Sequence, residues 1–221
     1  AEKTDEGRSP AAVVATPAPI AAVTPISVPS GGAEGVKKAL ADTKSCLDRD
    51  DCDFPQTDPR SYGIAVGRRL AELLVIYREQ HGDDPALGEI AREYMQVDDG
   101  FVQEEAIKAF SQLPPSSENV NAMITGLQHS SDPLLVEQAM TEWERYIGSP
   151  EEANIEAFLA DFIARGGQFS SEKASELILK FLNERTEGSF RAALASMEPT
   201  STPALNLRSA LAEYDRQRSG G

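Results

Sequence analysis

The chain has 221 residues, of which 21 are Lys or Arg and 36 are Asp or Glu, giving a net charge of −15. That length is enough to bury a core. The acidic balance weighs against nucleic acid and anionic membrane surfaces as partners, because phosphate contacts need clustered Lys and Arg. It suits a basic partner or divalent cations, or provides solubility alone.

Residues 1–32 are charged at first, then rich in Pro, Ala, Val and Thr, and close on Ser30-Gly31-Gly32. Such a stretch cannot bury enough surface to offset its ordering entropy, so it is expected to be a disordered tether. Its apolar run from Ala11 to Val28 is broken by Pro17, Pro19 and Pro25 and has no preceding basic region, unlike a signal-peptide core. The chain starts at Ala1 rather than Met, as a removed export signal or a trimmed terminus would leave it. No run of about 18 apolar residues exists, so no membrane insertion is expected.

A helical domain is expected over residues 33–218, followed by a flexible tail, 219–221. Four helix starts share one form: Asp58-Pro59, Asp84-Pro85, Asp132-Pro133 and Ser149-Pro150. Each places a side chain that can accept from an orphan N–H before a proline whose φ already suits the first helical turn. The first helix is expected from Ala33 to Leu47, then a loop over Asp48–Asp58. The second, Pro59–His81, carries Val66, Leu70, Leu73 and Tyr77 on one face. Its Gly63 and Gly67, four apart, would let another helix approach closely.

Further helices are expected over 85–97, 101–113, 117–128 and 133–147, with Gly148 as a left-handed cap. Ser149-Pro150-Glu151-Glu152 reads as a capping box opening a helix to Arg165. Another starts at Ser170 or Ser171 and runs through Phe181. The last two lie near 188–197 and 204–218. No strand is expected.

Cys46 and Cys52 are the only cysteines, and their even count and short spacing point to a disulfide between the first two helices. This and the non-Met start suggest an exported protein, periplasmic or extracellular. The carboxylates of Asp48, Asp50, Asp51 and Asp53 alternate as calcium ligands can. Yet, counting from Asp48, the sixth position is Asp53 rather than Gly and the twelfth is Pro59 rather than Glu, so the EF-hand pattern fails.

His81 and His129 are the only histidines and fall at helix ends, where a cation suits the helix dipole. No nucleophile elbow, HExxH or phosphate loop occurs, so no catalytic residue and no cofactor is assigned. Residues 101–164 hold eleven acids against Lys108 and Arg145. Within them Glu104, Glu105, Glu137, Glu142, Glu144, Glu151, Glu152 and Glu156 are the expected contact surface for a partner with a basic patch. Trp143, spaced helically with Met140 and Ile147, reads as core or as a wedge between repeats, with a concave-face binding anchor as the competing role.

The segment opened by Asp99 can be laid on that opened by Asp132, with Ala106 on Ala139 and Phe110 on Trp143, an offset of 33 residues. A weaker copy follows near Gln168–Phe181. Two short helices per 30–45 residues resemble the HEAT and armadillo class of α-solenoids, over about residues 84–185. The resemblance implies an all-α fold, a right-handed α–α superhelix of antiparallel helix hairpins. It also implies a curved binding scaffold, and the chain is expected to be a non-catalytic monomer. The competing functions are an envelope hydrolase or lyase on a helical scaffold, and a calcium-stabilised structural module.

Overall fold

The computed structural model describes residues 28–53 and 59–220. Among these the chain is all-helical, with no strand and ten α-helices. They are α1 Gly32–Arg49, α2 Pro59–Gln80, α3 Leu87–Tyr94, α4 Gly100–Phe110 and α5 Ser117–Leu127. Then come α6 Pro133–Trp143, α7 Glu152–Arg165, α8 Gln168–Leu177, α9 Glu187–Ser196 and α10 Thr202–Ser219. Tighter 3₁₀ turns, Glu144–Tyr146 and Ile178–Phe181, extend α6 and α8. The expected tether falls outside the described residues except for residues 28–32, as does Asp58.

The capping side chains explain where the helices begin. Asp99 accepts from the N–H groups of Phe101 and Val102, at 3.0 and 3.1 Å. Asp132 accepts from those of Leu134 and Leu135, at 2.9 and 3.4 Å. Each carboxylate thereby satisfies two donors that the helix itself leaves orphaned. Asp84 and Ser149 behave differently. Each accepts from the second residue beyond it, Ala86 at 2.9 Å and Glu151 at 3.2 Å. Each carbonyl then receives the third residue's N–H, from Leu87 and Glu152. The first turn is therefore wound tightly, and regular α-helix starts two residues past each proline, at Leu87 and Glu152. The capping box is also altered: the Glu152 carboxylate reaches the N–H of Gly148, at 3.0 Å, rather than that of Ser149. Gly148 has φ 85°, the left-handed conformation a glycine adopts without strain.

Helix α1 runs two residues past its expected end. It stops where Asp50 turns left-handed, φ 56°, and returns its N–H to the carbonyls of Cys46 and Leu47.

Contacts run in two series. Helices α2, α4, α6, α8 and α10 touch in that order, and α3, α5, α7 and α9 touch in theirs. Across the series α1 packs on α2, α3 on α4, α7 on α8 and α9 on α10, while α5 meets both α4 and α6. One continuous apolar core joins them, from Val36 to Leu211. Phe110 and Trp143 are both buried in it, and Trp143 meets Phe158 of α7 edge to face at 5.5 Å. Trp143 is thus a core residue and not a surface anchor.

The close-approach expectation for α2 holds at one glycine of the two. A Cβ on Gly67 would collide with the Asp99 carboxylate, whereas one on Gly63 would meet nothing within 4 Å.

Candidate functional site

Cys46 and Cys52 form a disulfide, with Cα atoms 4.8 Å apart. The left-handed turn at Asp50 folds the chain back so that Asp51 donates to the Cys46 carbonyl at 3.1 Å. The Cys52 N–H then donates to the Tyr62 hydroxyl of α2 at 2.7 Å. Cys52, Tyr62 and Val66 bury together against Leu47. The bridge therefore ties the end of α1 to α2.

The aspartates around it do not converge. Asp48 pairs with Lys44 at 3.0 Å and Asp51 with Arg49 at 2.9 Å. Asp50 and Asp53 are exposed. Among the described residues no group of three or more His, Cys, Asp or Glu side chains is arranged to hold a metal ion. The cation site considered for Asp48, Asp50, Asp51 and Asp53 is not assembled.

The eight glutamates expected to form one contact surface divide by environment. Glu142, Glu152 and Glu156 are buried, and they correct the expectation. Glu142 holds Arg145 at 2.6 Å. Arg145 in turn donates to the carbonyls of Phe110 and Leu113, at 3.2 and 2.8 Å, closing the C-terminal end of α4. Burial pushes the Glu142 carboxyl above the usual carboxylate range. Glu152 pairs with Arg185, and both it and Glu156 accept from Asn183 Nδ2, at 3.2 and 2.7 Å. Burial, aided by the neighbouring Glu152 charge, raises the Glu156 carboxyl. These three are internal ties, placed by the same helical period that buries the apolar stripe.

The remaining five are more accessible. Glu105 is the most enclosed, held by Arg78 at 3.0 Å and Lys108 at 2.6 Å. Glu104 and Glu137 are 45 % and 47 % exposed, beside Lys108 and Lys173. Glu144 lies beside Lys180 and Glu151 is half-buried. Glu104 and Glu137 share a cleft of about 580 Å³ between the first turns of α4 and α6, together with Phe101, Leu134 and Gln138.

Two other clefts open beside His129. One, of about 440 Å³, also holds Asp98, Gln103 and Asp132; the other, of about 640 Å³, runs between α5 and α7 past Phe158 and Asp161. Asp132 is committed to capping α6, and its own N–H donates to Ser130 Oγ at 3.3 Å. His81 packs against Tyr77 at the end of α2, with ring centres 5.7 Å apart.

Sequence reasoning missed Gln103, which is buried and donates to the carbonyls of Met95 and Gly126, at 3.2 and 2.9 Å. The signal was present: Gln103 falls on the same helical face as Ala106, Ile107 and Phe110, where a polar side chain must find partners. Asn183 carried no such signal, because Glu152 and Glu156 lie on another helix, α7. For Arg145 the i,i+3 spacing to Glu142 was visible, but its contacts with the Phe110 and Leu113 carbonyls were not.

No protein-family model, curated protein or solved structure matches the chain. No helix among the described residues is long and apolar enough to cross a membrane.

Proposed function

We propose that this chain is a monomeric, exported, non-catalytic module that binds another macromolecule, built as an α–α solenoid of the HEAT and armadillo kind. Its contact face is the series α2–α4–α6–α8–α10, and its partner carries a basic patch. Three features support the solenoid. Helices α4, α6, α8 and α10 begin at residues 100, 133, 168 and 202, steps of 33, 35 and 34. Helices α5, α7 and α9 begin at 117, 152 and 187, steps of 35 and 35. Equivalent ties also join successive members: Gln138 donates to the Glu104 carbonyl at 3.1 Å and Asn206 to that of Glu172 at 3.4 Å. The step is shorter than the roughly 40–47 residues of typical HEAT and armadillo units, so the hairpins are trimmed ones. The disulfide fits an oxidising compartment outside the cytosol.

The observation that carries the binding reading is the α4–α6 cleft, where the partly exposed carboxylates of Glu104 and Glu137 flank apolar side chains. A hydrolase or lyase would draw on two acids converging in a deep pocket. The acids lining this cleft instead cap helices or pair with lysines.

Electrostatic steering makes association with a basic partner fall as salt rises. Fluorescence anisotropy of a labelled lysine-rich peptide titrated with the chain at low and high salt tests this. Weakening with salt, reduced by Glu104→Gln with Glu137→Gln, supports the reading. An affinity indifferent to salt, or no binding, overturns it.

A further inference from the structure

Seven large apolar side chains are exposed among the described residues, and five of them follow one rule. Ile64, Phe101, Leu134, Phe169 and Leu205 come one each from α2, α4, α6, α8 and α10. Phe101, Leu134 and Phe169 are each the second residue of their helix. Leu134 and Phe169 are 72 % and 65 % exposed. Isolated exposed apolar residues are ordinary on a protein surface. One from each member of a contiguous series, with three of them at the same position in the first turn, is a ladder.

The contacts keep its rungs in register. Phe101 and Leu134 line the same cleft. Arg68, one turn past Ile64, lies over the Phe101 ring at 5.3 Å. One turn below Leu134 and Phe169, Glu137 and Lys173 approach to 3.7 Å, and Asn206, next to Leu205, reaches the Glu172 carbonyl. Three residues after Phe101, Leu134 and Phe169 stand Glu104, Glu137 and Glu172, a row of carboxylates parallel to the apolar one. Lys108 and Lys173 offset part of this charge. The Asp99 and Asp132 carboxylates on the other side of the rungs add to it.

We propose that the ladder docks an extended, basic segment of another protein, with an apolar side chain at about every third residue and Lys or Arg between. This rests on the binding function proposed above and names its occupant. The spacing sets the conformation. Packed helices lie about 8–10 Å apart, and a segment in the polyproline II conformation advances about 3.1 Å per residue with three residues per turn, so three residues carry the chain from one rung to the next and return a side chain to the same face. Charge sets the composition: the apolar side chains settle between rungs while the intervening cations face Glu104, Glu137 and Glu172.

The probes are fluorescein-labelled synthetic peptides of about 15 residues, long enough to cross all five rungs at that advance. One has Lys-Lys-Leu repeats, a second Lys-Lys-Ser repeats and a third Glu-Glu-Leu repeats. Anisotropy with the whole chain should show the Lys-Lys-Leu peptide binding at least about tenfold more tightly than either control, a difference of about 1.4 kcal/mol. Leu134→Ser with Phe169→Ser should remove that advantage while leaving the far-ultraviolet circular dichroism unchanged, since both side chains are exposed. Equal, salt-sensitive binding of both lysine peptides overturns the ladder but leaves the acidic binding surface standing. No binding of either lysine peptide overturns both. Two further results identify a different occupant and so also overturn the proposal. One is self-association in sedimentation that the double variant abolishes. The other is tighter binding of a peptide of residues 10–28 than of the Lys-Lys-Leu peptide.

Discussion

Gly63 and Gly67 both lack a side chain, four residues apart on one helix, and do opposite things. Gly67 leaves room for the Asp99 carboxylate that caps α4, whereas Gly63 faces open space. Gly67→Ala should displace that cap and cost roughly 1–2 kcal/mol, the usual range for losing an N-cap. Gly63→Ala should stabilise by about 0.5–1 kcal/mol, because alanine loses less conformational freedom on entering a helix. Urea unfolding of the two variants checks both signs. The buried pair Glu152 and Glu156 sets a second contrast. Glu156 is raised by burial, so the folded protein holds its proton at a pH where the unfolded chain has released it. Its charge is a penalty at neutral pH that fades as the pH falls toward 4.5. Glu156→Gln, which keeps an acceptor for Asn183, should therefore be more stable than the parent at pH 7, with the gap narrowing as the pH falls. Glu152 accepts from Gly148, Asn183 and Arg185. Glu152→Ala should cost roughly 1–3 kcal/mol by orphaning those donors.

At the scale of elements, the α1–α2 junction depends on a short covalent loop. Its closure stabilises by roughly 2 kcal/mol on the chain-entropy estimate. Cys46→Ser with Cys52→Ser should lower the melting temperature by that equivalent and loosen α1 first, because Cys52 also brings its N–H to Tyr62. Hydrogen exchange along α1 would report the loosening. Since Asp48 and Asp51 already pair with Lys44 and Arg49, added calcium should not raise the melting temperature beyond what magnesium does. The helix starts were legible because their causes are local. An Asp or Ser before an orphan N–H acts the same way wherever the rest of the chain goes. Tight winding of the first turn at Asp84 and Ser149 was not legible, because a cap followed by proline opens α6 as regular helix at Asp132.

For the whole molecule, the apolar core passes without a break from α1 to α10. The chain should therefore unfold in denaturant with coincident far-ultraviolet circular dichroism and Trp143 fluorescence transitions. Two separated transitions would show the two ends melting independently, as stacked repeats can. The glutamates show where the sequence stopped informing. All eight are acids in helical segments, and composition alone groups them. Glu104 and Glu137, each the fifth residue of its helix, remain half exposed along the α4–α6 cleft. Glu142, Glu152 and Glu156 are turned inward toward Arg145, Asn183 and Arg185.

The sequence by itself determined the all-helical content, the capping side chains at Asp84, Asp132 and Ser149, the left-handed Gly148, the disulfide and the acidic charge. These follow from neighbours within a few residues, whose geometry is the same in any fold. The tertiary structure alone decided which acids are buried and which glycine is crowded. It also brought Phe101 and Leu134 into one cleft. Those properties depend on partners about 30 residues away, whose positions are set by how the core closes rather than by any local pattern.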